Sequence, residues 1–179
     1  MGNEQVIVDS SFSAVINAPI EKINIPDWCF TLPEKEYQWC SPAHIAAGFT
    51  TSPEGNRMSV NVEILGGSVM VQHYVEKLAE PTHLILESVS DVFTPNGRTT
   101  IHVHWELSVK KIDDNTCEFT NRVRSKPTAE FIRFIDQQGI PFELFKAQRQ
   151  PVSVYHNQTE TPLFAKSIER HALGENLNL

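Results

Sequence analysis

An imidazole and a carboxylate stand four residues apart in the segment 155–160, whose sequence is YHNQTE. On a helix this spacing places His156 and Glu160 on the same face, about one turn apart. Both groups are good zinc ligands, so the segment could supply two donors to one metal ion. The alternative is a solvated helix face, because a chain with 7 His and 22 acidic residues contains such a pair nearly by chance.

The composition indicates one soluble globular domain over residues 1–179. The net charge of -7 argues against nucleic acid and anionic membrane surfaces as partners. No apolar stretch approaches the roughly 18 residues that a membrane span requires, and we expect a cytoplasmic protein. The 3 cysteines are widely spaced and form no C-x-x-C pair, which predicts buried free thiols rather than disulfides.

Hydrophobic periodicity predicts a strand first, then helical pieces, then an antiparallel meander. The helical pieces cover 20–47 and are broken at Pro26, Pro33 and Pro42. After Pro127 a helical stripe ends at Gly139, and a last helix is predicted from about Pro151 to His171, with Pro162 as a kink or break. The predicted strands are 11–18, 58–65, 68–78, 83–93, 101–109 and 117–123.

This order of elements resembles the helix-grip fold of the START and Bet v 1 superfamily, also called SRPBCC. The resemblance implies an α+β fold in which a curved antiparallel sheet wraps around a long C-terminal helix, with short helices inserted after the first strand. It also implies an internal cavity for a small aromatic or apolar ligand. Polar groups that face this cavity are then the candidates for chemistry.

Two strand residues are predicted to point into the cavity. His73 alternates in phase with Val69, Val71 and Val75, and Glu87 alternates in phase with its apolar neighbours in 83–93. A three-residue turn at 79–81 would set His73 directly across from Glu87. A buried carboxylate needs a cation, a proton or a metal. The alternatives are a hydrogen-bonded core histidine and, if the register is off by one, a Glu87 that faces solvent.

His73, Glu87, His156 and Glu160 together would make a zinc shell of two imidazoles and two carboxylates. This set resembles the metal-dependent diacetylphloroglucinol and phloretin hydrolases, and the segment 37–44 (YQWCSPAH) is similar to an aromatic, Pro and His segment of that group. The resemblance implies zinc at those four residues, His44 at the substrate cavity and hydrolysis of a carbon–carbon bond beside an aromatic ketone. Zinc would polarise the acyl oxygen and lower the pKa of a bound water toward roughly 7.

The segment 101–109 offers a competing metal site. His102, His104 and Glu106 share one face of a strand, as in a cupin-like barrel, but the opposite face is a better core. We therefore predict that these three side chains form the outer face. Trp105 is predicted to lie in the core or the cavity wall, and Asn121 to be a polar group of the cavity.

Two functions are compatible with this sequence. The first is a zinc-dependent hydrolase of an acylated aromatic or polyketide-like ketone. The second is a metal-free START-like binding protein or polyketide cyclase, in which shape and a few polar groups orient the ligand. A homodimer is a further expectation, and the sequence does not identify the ligand.

Overall fold

A computed structural model describes residues 5–175 as one antiparallel sheet and a set of helices. The sheet has seven strands in the order β1-β7-β6-β5-β4-β3-β2. The strands are β1 (Val8–Ile16), β2 (His44–Thr51), β3 (Arg57–Leu65), β4 (Ser68–Glu80), β5 (His83–Thr94), β6 (Gly97–Lys111) and β7 (Cys117–Pro127). The helices are a 3-10 turn (Ile20–Lys22), α1 (Ile25–Thr31), α2 (Glu34–Cys40), α3 (Ala129–Gln137) and α4 (Phe142–Leu173). This is the predicted helix-grip architecture, with the curved sheet wrapped around α4.

The β4–β5 hairpin determines which side chains of both strands face inward. Glu80 pairs with His83 across a two-residue turn, and the register shifts between Glu76 and Leu78, so Val75 lies opposite Glu87. The predicted three-residue turn at 79–81 was therefore wrong, and so was the pairing of His73 with Glu87. The inward side chains are those of Met70, Gln72, Tyr74, Leu84 and Leu86.

His73 and Glu87 consequently lie on the outer face of the sheet, and their predicted inward orientation was wrong. The valines of β4 misled the prediction, because they share that outer face and are only partly buried there. A sheet strand can carry apolar residues on both faces, and alternation alone then leaves the inner face undecided.

The faces of β6 agree with the prediction. Trp105 and its apolar companions at every second position are buried, whereas His102, His104 and Glu106 lie on the other face. Asn121 on β7 is fully buried, as its flanking apolar residues predicted.

The largest differences from the predicted elements concern β2, which was not predicted as a strand, and the start of α4. Residues 44–47 belong to β2 rather than to a helix, because they pair with β3 across a register shift between His44 and Ala46. Helix α4 begins at Phe142, not near Pro151, and continues through Pro151 and Pro162. Each proline removes one backbone donor, but packing of the buried face of α4 against the sheet outweighs that loss. None of the helices within residues 5–175 is long and apolar enough to span a membrane.

The assignment of the faces of β5 leads to a stability prediction. Replacing the fully buried Leu86 with Ala should lower the free energy of unfolding by about 2 to 5 kcal/mol, because a cavity forms in the core. Val89→Ala on the same strand should change it by less than about 0.5 kcal/mol, since that side chain is 52% exposed. Urea denaturation measures both, and the reverse order of losses would contradict the assignment of the faces.

Candidate functional site

A cavity of about 210 Å³ lies between the inner face of the sheet and helices α3 and α4. Most of its wall is apolar, with polar side chains gathered near the middle of α4. An apolar cavity of about 150 Å³ holds benzene, so this cavity has room for a small aromatic ligand.

Helix α4 contributes a line of side chains to the cavity at intervals of three or four residues. Arg149, Val152, His156, Glu160 and Phe164 follow one another along its inner face. This is the helical periodicity that the His156–Glu160 spacing predicted. The helix thus presents a cation at one end of the line, the imidazole–carboxylate pair in the middle and an aromatic ring beyond it.

Four of the polar side chains converge on one point of the cavity wall. Nε2 of His156 lies 3.1 Å from Oε2 of Glu160 and 3.0 Å from Oε2 of Glu63. Nε2 of His44 lies 3.1 Å from the same Oε2 of Glu160. The side chains of His44, Glu63 and Glu160 are at most 6% exposed, and that of His156 is 12% exposed. We call His44, Glu63, His156 and Glu160 the His–Glu cluster.

Neighbouring groups hold the imidazoles of the cluster in place. Nδ1 of His44 lies 2.6 Å from the carbonyl oxygen of Tyr37, whose ring stacks on the imidazole at 3.8 Å between centroids. Nδ1 of His156 lies 3.3 Å from Oγ of Ser41. These contacts leave the Nε2 atom of each ring directed at the carboxylates.

A hydrogen-bonded chain fixes the carboxylate of Glu160 from the sheet side. Trp105 donates from Nε1 to Oδ1 of Asn121 at 2.8 Å, and Asn121 donates from Nδ2 to Oε1 of Glu160 at 3.1 Å. Because Asn121 is held by Trp105, its amide nitrogen is oriented to donate. The remaining oxygen of Glu160, Oε2, is the one that both imidazoles approach.

Electrostatics stabilise the charged forms of His156 and Glu160. Burial by itself would lower the pKa of His156, but the charges of Glu160 and Glu63 and the hydrogen bonds to them raise it to about 10. Burial would likewise raise the pKa of Glu160, but His156 and His44 lower it to about 2. Burial, reinforced by the charges of Glu63 and Glu160, raises the pKa of Tyr37 and Tyr74 well above its ordinary value.

The contacts of His44 require a shared proton or a metal ion at the cluster. Its Nδ1 faces a carbonyl oxygen, which can only accept, so Nδ1 carries the hydrogen. Its Nε2 faces a carboxylate oxygen, which repels a nitrogen lone pair unless a second proton or a metal ion lies between them. At His156 a hydrogen on Nε2 already lies toward two carboxylate oxygens, and their negative charges favour the protonated ring.

The donor set of the cluster fits a zinc-type metal. One ligand atom each from His44, Glu63 and His156 lies within 4.8 Å of the other two, and Glu160 adjoins both imidazoles. Imidazole nitrogens and carboxylate oxygens in this number are a donor set that zinc accepts. The hydrogen bonds on the far side of His44 and Glu160 are also typical of metal ligands.

The structure brings together only part of the predicted site. His156 and Glu160 meet each other, and His44, Trp105 and Asn121 lie around them. His73 and Glu87 do not reach this cluster. On the outer face, Nε2 of His73 lies 3.0 Å from Asp91, and Oε1 of Glu87 lies 2.6 Å from Nδ1 of His104.

Sequence reasoning missed Glu63 as a site residue. In β3 the buried positions are the polar Ser59, Asn61 and Glu63, whereas the valines between them are half-buried on the outer face. The alternation was visible, but the apolar residues were expected inside. A run of three polar residues with period two, opposite an apolar face, was the signal that could have identified Glu63.

No protein-family model matches the chain, and no curated protein matches it in sequence. Solved structures do match. The Zhui aromatase/cyclase from Streptomyces sp. R1128 superposes with a TM-score of 0.66 at 11% identity, covering 94% of this chain and 98% of that one. A START superfamily protein from Mycobacterium smegmatis gives a TM-score of 0.54 at 10% identity, covering 93% and 97%.

These similarities, at low identity, concern the backbone alone. The chain has the START-like helix-grip fold. A further match, the di-domain ARO/CYC StfQ from the steffimycin biosynthetic pathway, has a TM-score of 0.56 at 10% identity and covers 94% of this chain. It covers only 53% of StfQ, so this chain spans about half the length of that di-domain protein.

The pKa shifts of the cluster predict a stability maximum at mildly acidic pH in metal-free protein. The pKa of Glu160 falls from 4.5 to about 2 on folding, so its contribution is full above pH 4.5 and is lost as the pH falls toward 2. The pKa of His156 rises from 6.5 to about 10, so its contribution is full below pH 6.5 and is lost as the pH rises toward 10. Urea denaturation with a chelator should therefore show the difference between wild type and Glu160→Gln to be greatest between those limits.

The size of that difference follows from breaking a buried ion pair. Glu160→Gln should cost roughly 3 to 5 kcal/mol at pH 5.5 to 6 because it leaves His156 with one charged partner fewer. Glu106→Gln is the control, since its part-exposed pair with His83 should contribute less than about 1 kcal/mol. A Glu160→Gln loss that is equal at pH 3, 6 and 9 would contradict the coupling.

Proposed function

We propose that this protein binds a small aromatic or polyketide-like ketone in its cavity and acts on it through the His–Glu cluster. The observation that carries the proposal is the burial of two imidazoles and two carboxylates in the wall of a mostly apolar cavity. Buried charged groups are costly, so their concentration in the cavity is typical of a functional site rather than of a core.

The wall around the cluster suits a flat ligand. Tyr74 and Trp105 pack with ring centroids 5.1 Å apart, and Trp105 and Phe164 with centroids 6.1 Å apart. Aromatic side chains prefer offset or edge-to-face contacts with other rings, so this part of the wall favours an aromatic ligand over a flexible aliphatic one. The carbonyl group of such a ligand would find its polar partners at the cluster.

Without a metal, the cluster provides acid–base chemistry. Protonated His156 would be the acid that donates to a ligand oxygen, and Glu63 and Glu160, which lie at its Nε2, would stabilise its positive charge. A cyclisation or aromatisation also requires removal of a proton beside a ketone, for which a carboxylate of the cluster would be the base. Two solved structures with the same fold are named aromatase/cyclases, which supports this version. At their low sequence identity, the similarity itself shows only a shared fold.

The second candidate is a metal-dependent hydrolase of a carbon–carbon bond in an acylated aromatic ketone. It is favoured by two observations, that ligand atoms of His44, Glu63 and His156 converge and that Nε2 of His44 faces a carboxylate oxygen across a gap that needs a proton or a metal ion. His44, Glu63, His156 and Glu160 would hold a zinc ion. When bound, zinc supplies Lewis-acid polarisation of a carbonyl and a lowered pKa for water. The chain's own residues would orient the ketone against the aromatic wall and exclude bulk water.

The homodimer and the cytoplasmic location stay predictions.

Metal content separates the two candidates. Protein purified without a metal-affinity tag should contain about one equivalent of zinc per chain if the cluster is a metal centre. His156→Ala and Glu63→Gln should each lose that zinc, because each removes one of the converging donors. His104→Ala should retain it, since His104 lies on the outer face. Elemental analysis is the measurement.

The outcomes are unambiguous when the variants remain folded by circular dichroism. Zinc in wild type, absent from both cluster variants and present in His104→Ala, supports the hydrolase. A wild type that stays metal-free after dialysis against zinc supports the metal-free version. Loss of zinc in His104→Ala with retention in His156→Ala would contradict both and move the metal to the outer face.

Ligand binding should be visible in the fluorescence of Trp105. An aromatic ketone in the cavity lies beside this side chain and should quench its emission in a saturable, one-to-one manner. Trp105→Phe should lose most of the response. Trp39→Phe should keep it, because Trp39 lies outside the cavity wall and contacts Arg170. A response that persists without Trp105 and disappears without Trp39 would contradict the cavity as the binding site.

A further inference from the structure

Arg149 is a positively charged residue of the cavity wall that lies outside the His–Glu cluster. It lies on the inner face of α4 near the β3–β4 turn. Its Nη1 donates to the carbonyl oxygen of Leu65 at 2.7 Å, and its Nη2 donates to Sδ of Met70 at 3.0 Å. Both acceptors are neutral.

In the part of the chain that the structure describes, several other arginines pair with carboxylates, unlike Arg149. Arg57 pairs with Glu76, Arg122 with Asp9 and Arg170 with Glu36, all at carboxylates. Within residues 5–175, Arg149 forms no salt bridge with a carboxylate. Burial lowers its pKa, and only the charge of Glu63 opposes that effect. A partly buried guanidinium at a cavity surface, satisfied by a carbonyl and a thioether, is poised to bind an anion.

The backbone of the β3–β4 turn makes room for this guanidinium. Gly66 has a φ of +55°, and a Cβ atom at that position would lie 3.0 Å from Nη1 of Arg149. The glycine thus permits both the left-handed turn and the close approach of the arginine. The turn and the helix together hold the charged group at the cavity wall.

Arg149 and the His–Glu cluster lie at separate places along the cavity. Arg149 precedes His156 by seven residues on one face of α4, so the two residues are about 10 Å apart along the helix axis at about 1.5 Å per residue. The wall between the two side chains is apolar, with Val152 on the helix.

We infer that the cavity binds aromatic ketones that carry an anionic group, with Arg149 holding the anion and the ketone oxygen lying at the His–Glu cluster, about two turns further along α4. The inference rests on the proposed function and adds a ligand class to it. Arg149 is a residue that determines specificity and takes no part in the chemistry. The bidentate geometry of a guanidinium suits a carboxylate, which is the anion used as the probe.

A matched pair of probes tests the inference on the full chain. The carboxylate 6-acetyl-2-naphthoate and the neutral 6-acetyl-2-naphthamide have the same shape and the same ketone. Wild type should bind the carboxylate at least about tenfold more tightly, measured by titration of tryptophan fluorescence and calorimetry. Arg149→Gln should bring the two affinities within about twofold by weakening the carboxylate alone, and Arg149→Lys should keep part of the preference.

Arg122→Gln is the control for loss of positive charge, because Arg122 pairs with Asp9 on the outer face. It should retain the wild-type preference. Circular dichroism checks the fold of each variant. If Arg149→Gln does not fold, the inference is tested by the ratio of the affinities for the two probes in wild type and in Arg149→Lys.

Each outcome distinguishes this inference from the proposed function. Equal affinity of wild type for both probes overturns the role of Arg149 and leaves the cavity as an aromatic-ketone site. A preference that survives in Arg149→Gln but disappears in His156→Ala places the carboxylate at the cluster and also overturns the inference. Failure of wild type to bind either probe overturns the proposed function together with the inference.

Discussion

The structure depends on neutralising two carboxylates that the fold buries. Glu63 and Glu160 lie in an enclosure where an unpaired carboxylate would cost several kcal/mol, and each approaches Nε2 of His156. The second imidazole, that of His44, meets Glu160 from the other side. Neither imidazole could be lost without leaving a buried charge short of a partner. The proton or metal ion that the contact between His44 and Glu160 requires is therefore central to both candidate functions.

Three separate parts of the chain meet at this one point. The bulged start of β2 supplies His44, β3 supplies Glu63, and α4 supplies His156 and Glu160. Tyr37 on α2 stacks on His44, so the inserted helices orient the site as well as cover the sheet. On the opposite side, Trp105 and Asn121 connect the centre of the sheet to Glu160. The long helix can present these groups to the sheet because its inner face stays regular through two prolines.

Ionisable side chains have different environments on the two faces of the sheet. On the outer face, imidazoles and carboxylates such as His73 with Asp91 and His104 with Glu87 form partly exposed pairs that water can also solvate. On the inner face the same residue types are buried and hydrogen-bonded to fixed partners. The same residue types thus form surface pairs on one face and a buried, hydrogen-bonded cluster on the other.

The helix-grip architecture was implied by a resemblance in the order of elements. The sequence by itself determined the order of the elements other than β2, the inner face of β6 and the spacing that pairs His156 with Glu160. Each of these depends on local periodicity, which a single segment carries. The tertiary structure decided which faces of β3, β4 and β5 turn inward and which residues complete the site. Turn length and the register shift after Glu76 set the pairing of β4 with β5. Valines on the outer face made the wrong side of β4 look like the core. Glu63 joins the site because the polar face of β3 turns inward, and His44 meets it because the irregular start of β2 pairs with β3.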